Sequence, residues 1–122
     1  MNWKMAGDKP VYQQIMAALR GAILKGELIP GQKVPSVREV AAAAQVNPNT
    51  VQRAFSELER EGLLVGGGTS GRTVTTDETV LAAMRQETLQ ELARECMERF
   101  AVFGVTLAQA AQLLLDLEKE ET

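Results

Sequence analysis

Two helix-start signals eleven residues apart, at Ser36 and Asn47, constrain this chain more than any other feature. Ser36-Val37-Arg38-Glu39 is a capping box, in which the serine hydroxyl caps the helix and the glutamate three positions on reaches back. Asn47-Pro48 is a second start: an N-cap asparagine, then a proline whose missing N–H has no helical partner anyway. Val40 and the alanines between them give a small, close-packing surface, and Gln45-Val46 is the turn. The pattern predicts a short helix from Val37 to about Ala44, a tight turn, and a helix from Pro48 to Glu61. The second helix carries a buried stripe of Val51, Ala54, Phe55 and Leu58 and stops at Gly62.

The flanks complete a plan. Pro10 opens a first helix, with Tyr12, Ile15, Met16, Leu19 and Ile23 at helical spacing through Lys25, and Gly26 closes it. Ile29-Pro30-Gly31-Gln32 reads as a turn. Beyond Gly62, Leu63-Leu64-Val65 and Arg72-Thr73-Val74-Thr75 are short strands around the glycine-rich turn 66–71, a hairpin or wing. A long helix follows from Thr76 or Asp77 to about Phe103, and Thr106-Leu107-Ala108-Gln109 caps a last one. The expected fold is mostly α with a small β-hairpin. Residues 1–76 form a winged helix-turn-helix domain, and residues 77–122 form a two-helix dimerisation tail.

The absences narrow the chemistry. There is no histidine, which removes the commonest general base and zinc ligand. Gly66-Gly67-Gly68 is not followed by the Gly-Lys-Ser/Thr of a phosphate-binding loop. Neither an enzyme, a cofactor nor a metal is expected. No apolar run approaches a membrane span, the amino terminus lacks an apolar leader, and the single Cys96 fits a reducing compartment; a cytoplasmic protein is expected. The net charge of −3 averages unlike halves. Residues 1–76 hold nine Lys/Arg against six Asp/Glu, and residues 77–122 hold four against ten. The basic half can meet phosphate, and the acidic half is kept from it.

In a helix-turn-helix the second helix enters the major groove by its N-terminus. Here that terminus reads Asn47-Pro48-Asn49-Thr50-Val51-Gln52-Arg53. Amides suit adenine and arginine suits guanine, while free first-turn N–H groups attract phosphate. Each candidate also has a plainer role. Asn47 caps, Asn49 and Thr50 can be solvated, Arg38 and Arg53 can form surface ion pairs, and the wing glycines can be a loose turn.

These residues resemble a known family. The segments Pro10 to Ile15, Gly26 to Ala41, Val46 to Phe55 and Leu58 to Leu63 look like the GntR family of transcriptional regulators. The short acidic tail and the Asn-Pro-Asn-Thr turn look like its YtrA subfamily. The resemblance implies a dimeric repressor on a palindromic double-stranded operator, and control of neighbouring ABC-transporter genes. It maps DNA contacts to Ser36 and Arg38 of the Pro-Ser-x-Arg-Glu motif, to Asn47, Asn49, Thr50, Gln52 and Arg53, and to Gly71 and Arg72 of the wing. The family's wing tip is usually basic, whereas Gly67 to Thr73 carries one arginine, which implies weakened wing contacts.

Two tail helices enclose no effector pocket, and neither can cover the other's apolar face. Pairing with a second copy is expected through Leu81, Leu89, Leu92, Phe100, Phe103, Leu107, Leu113, Leu114 and Leu117. A small-molecule effector site would then lie at the dimer interface. The competing expectation is a winged-helix module for protein–protein contact, which the acidic pI of about 5.0 and the thin wing would allow.

Overall fold

The computed structural model describes residues 1, 3–5, 7–66 and 71–121. Its elements run α1 (Val11–Leu24), α2 (Val37–Ala44), α3 (Pro48–Arg60), β1 (Leu64–Gly66), β2 (Arg72–Val74), α4 (Glu78–Val102) and α5 (Leu107–Glu121). The chain divides into two compact units, Met1–Arg85 and Gln86–Thr122.

The first unit is built around α3. Its stripe of Val51, Ala54, Phe55 and Leu58 is buried, as expected, with α1 and α2 packed on it. Ile15, Met16, Leu19 and Ala22 face it from α1, and Val40 and Ala41 from α2. Pro10 sits one position earlier than expected. It is the N-cap of α1, and its carbonyl accepts from the Gln13 and Gln14 amides. Arg20 pairs with the Glu61 carboxylate at 2.7 Å, linking α1 to the end of α3.

Gly62 ends α3 with φ at +82°, a conformation that costs glycine nothing. The Leu63 amide then donates back to the Leu58 carbonyl. The Leu63 N–H thus closes the helix while its carbonyl accepts from the Thr75 amide at 2.8 Å, and β1 begins at Leu64 rather than at Leu63. β1 and β2 pair antiparallel, with Leu64 opposite Val74 and Gly66 opposite Arg72. The tip residues 67–70 lie outside the described residues. Gly31 and Gln32, expected as the end of a turn, line the outer edge of β2 together with Val34. Gly31 N–H donates to Val74 O, Val74 N–H to Gln32 O, and Val34 N–H to Arg72 O, each at 2.9 Å. The wing is thus held to the residues that lead into α2.

The apolar pattern that starts α4 belongs to this unit as well. Met84 is buried in its core, and Val80 and Leu81 pack against it. Leu81, expected on the dimerisation surface, therefore has an intrachain role. The compact unit reaches Arg85, beyond the expected boundary at 76.

Gln45 closes α2 in the left-handed region at φ 56°, the one such non-glycine among the described residues. An L residue pays for that conformation about 1–2 kcal/mol. Gln45→Gly is therefore expected to stabilise the first unit by about 0.5–1 kcal/mol, after the greater freedom of unfolded glycine is deducted. Thermal unfolding should show a midpoint a few degrees higher; an unchanged or lower midpoint would contradict it.

In the second unit Ala110 is the one described residue that is buried. α4 ends at Val102, and beyond Gly104 the Val105 N–H donates back to Phe100 O. Thr106 and Gln109 form the expected capping box of α5, their side chains and amides bonding reciprocally at 2.9 and 3.2 Å. Among the described residues no single helix is long and apolar enough to cross a membrane, although α4 and α5, bent by 110°, pass that test as a pair.

Candidate nucleic-acid interface

The first turn of α3 is assembled by local chemistry. Asn47 has extended backbone (φ −65°, ψ 132°), and its Oδ1 accepts from the Asn49 amide at 2.8 Å. Its carbonyl accepts from the Thr50 and Val51 amides, and Pro48 fills the first helical position. Asn47, Asn49, Gln52 and Arg53 are exposed, opposite the buried stripe. Thr50 is half-buried, because it precedes Val51 and stands one turn before Ala54. Its position borders the core, whereas the other candidates lie clear of it.

Two of these side chains are already oriented. Gln52 Nε2 donates to Ser56 Oγ at 3.2 Å, which leaves its carbonyl oxygen as an acceptor. The Arg53 guanidinium lies 3.8 Å above the ring of Tyr12 on α1, a cation–π contact. The contact holds the guanidinium against the ring.

The start of α2 is equally well defined. Ser36 Oγ accepts from the Glu39 amide at 3.1 Å, and Glu39 Oε1 accepts from the Ser36 amide at 3.3 Å. The serine hydroxyl keeps its own hydrogen for a further acceptor. Arg38, the second residue of the helix, is exposed.

The wing places its candidates differently. Gly71 has φ +84°, which favours glycine; a Cβ there would lie 3.0 Å from Lys33 Cε, the flexible end of a side chain that passes over it. Arg72 is half-buried; its Nε donates to Glu59 Oε1 of α3, and its guanidinium lies 5.1 Å from the centre of the Phe55 ring. Lys33 is a cation that sequence reasoning does not single out. It is exposed and paired with Thr73 in an isolated β-bridge, so its stem crosses Gly71 at the wing base. The one sequence signal for it is the alternation of charged Lys33 with apolar Val34, too short to read as a strand.

Of the residues expected to pair two copies, Leu89, Leu92, Phe103, Leu107, Leu113, Leu114 and Leu117 are exposed, and Phe100 is half-buried. Val102 and Leu115 are exposed with them, although the spacing does not single them out. Phe103 is 83% exposed and Leu92 60%. A hollow of about 500 Å³ at the α4–α5 turn is lined by Phe103, Val105, Gln109, Leu113 and Asp116 among others. Among the described residues no three Cys, Asp or Glu gather as a metal site would require.

Comparison with known proteins agrees with this geometry. Residues 11–74 match the family model of bacterial regulatory proteins, gntR family. An uncharacterized HTH-type transcriptional regulator of Bacillus subtilis, YhcF, is 31% identical over 87% of this chain and 88% of its own length. The HTH-type transcriptional repressor YtrA of the same organism is 51% identical over 55 residues, 45% of this chain and 42% of its own. Among solved structures, a GntR family transcriptional regulator from Listeria monocytogenes superposes with a TM-score of 0.79 at 26% identity, over 94% of this chain and 98% of its own. AraR(DBD) in complex with operator ORX1 superposes with a TM-score of 0.56 at 26% identity, over 58% of this chain and 92% of its own.

Proposed function

Because the chain belongs to the GntR family of bacterial regulatory proteins, with a likeness to its YtrA subfamily, we propose that it is a dimeric repressor reading a palindromic operator. The observation that carries the reading is the capped, solvent-facing first turn of α3, with its polar face opposite the buried stripe. An N-terminus of that kind offers unpaired N–H groups to phosphate and short amides to base edges. Arg38 and Lys33 supply charge from α2 and the segment before it, and Arg53 supplies it from α3. AraR(DBD), similar over 58% of this chain, is in complex with an operator, which supports DNA binding by a fold of this kind.

The second unit has one buried described residue and a row of large exposed apolar side chains. A surface of that kind seeks cover, and a second copy covers it by two-fold symmetry. The interface would also enlarge the hollow at the α4–α5 turn, the place a small-molecule effector would take. Control of a neighbouring ABC-transporter operon, in the cytoplasm where the chromosome lies, completes the proposal.

Specificity and affinity divide between residues. Asn49, Thr50 and Gln52 carry no charge, so their part is choosing bases. Asn49→Ala and Gln52→Ala are expected to relax discrimination by about 1–3 kcal/mol per lost base contact. They should leave non-specific binding and its salt dependence nearly unchanged. Titration against operator and scrambled duplex at several salt concentrations tests this. Variants that keep full discrimination would reduce this turn to a structural cap.

A further inference from the structure

The hairpin from Leu64 to Val74 contains one charged residue by sequence, Arg72. The structure gives that charge a partner inside the same unit. Glu59, on the last turn of α3, accepts from Arg72 Nε through Oε1. Its other oxygen lies near β1, where a Cβ added at Gly66 would come within 3.2 Å of Glu59 Oε2. The Arg72 guanidinium also faces the ring of Phe55, which is 1% exposed. One carboxylate on α3 therefore bonds to β2 and lies near β1, and both partners are about two-thirds or more buried, with side-chain exposures of 34% and 23%.

We propose that Glu59 neutralises Arg72 and holds it as a positioning residue of the wing, so that Arg72 adds no phosphate contact and Lys33 at the wing base carries the local positive charge. This rests on the DNA-binding reading above. An arginine already hydrogen-bonded to a carboxylate exchanges one anion for another when it meets phosphate. Little is gained, and Glu59 would be left beside the DNA backbone as an unpaired negative charge. Glu59 thereby sets how much of the fold's positive surface the duplex can use.

The test needs no operator, because phosphate contacts act on any sequence. Binding of the full chain to a mixed-sequence duplex of about 30 base pairs is measured by fluorescence anisotropy across a salt series; the length covers about three helical turns. Three variants are compared with wild type: Glu59→Gln, Arg72→Ala, and both together. Glu59→Gln frees the arginine and is expected to tighten binding about threefold or more. It should steepen the log–log salt slope by about one for each subunit in contact. The double variant removes a charge pair that DNA does not use, and should match wild type in affinity and slope. Arg72→Ala uncovers the carboxylate and should weaken binding without flattening the slope. If Arg72 instead contacts phosphate in the native protein, the double variant will be weaker and shallower than wild type. A gain from Glu59→Gln that survives in the double variant would come from the lost carboxylate alone and would also overturn the proposal. Glu59→Asp, which withdraws the carboxylate by one methylene, should give a smaller change in the same direction if Glu59→Gln does not fold. Absence of any salt-dependent binding by wild type would overturn the DNA-binding reading itself, an outcome distinct from either of these.

Discussion

Raising monovalent salt from about 50 to about 200 mM is expected to weaken DNA binding by this protein about 250- to 1000-fold. The figure follows from charge placement. Arg38, Arg53 and Lys33 are the cations at the proposed face, and Arg72 is paired with Glu59. Two or three phosphates neutralised by each of two subunits give a log–log slope of about −4 to −5. Arg38→Ala should remove about two units of that slope from the dimer. It should barely move the unfolding midpoint, since an exposed arginine costs only about 0.5 kcal/mol in either direction when truncated. Electrophoretic mobility or anisotropy titrations across the salt range check both. A slope near zero would favour the protein-contact alternative, and an unchanged slope in the variant would make Arg38 a bystander.

Charging the exposed face of the second unit is expected to split the protein into monomers. Phe103 is 83% exposed and Leu114 50%, so glutamate at both positions disturbs little packing within the single chain. Across a symmetric interface the substitutions place four carboxylates in an apolar surface, where desolvation without partners is prohibitive. Sedimentation should give about twice the 13.3 kDa chain mass for wild type and about that mass once for the variant. Affinity for a duplex with two half-sites should fall about 10²- to 10⁴-fold as the second half-site loses its tether. Single half-site binding should stay nearly unchanged. A wild type that sediments as a monomer would remove the dimer, and the dyad of its operator with it.

What could be read from the chain was whatever local chemistry dictates. Ser36 and Asn47 announce their helices because each cap bonds within three residues of itself. The stripe of α3 repeats at the helical period, and Gly62 marks its end. The remainder depends on contacts distant in sequence. Residues 29–32 read only as a turn because the strand partners of Gly31 and Gln32, at Val74, lie some forty residues on. Leu81 read as tail surface because an apolar position shows that a face is covered and not by what. Arg72 read as a wing cation because Glu59, thirteen residues away, reaches it only once the hairpin has formed. Arg53 and Tyr12 meet only when α1 packs on α3. The candidate face was therefore legible as a list of residues, while which of them are already engaged was not.

The most direct test of the account is selection of bound duplexes from a random pool with the purified full-length protein, followed by sequencing. The account predicts an enriched inverted repeat whose half-sites lie one helical turn apart, about 34 Å, or a multiple of it. The positions facing the first turn of α3 should lose their bias in the Gln52→Ala and Asn49→Ala proteins. Recovery of no enriched sequence, or of a motif that both variants enrich unchanged, would contradict it.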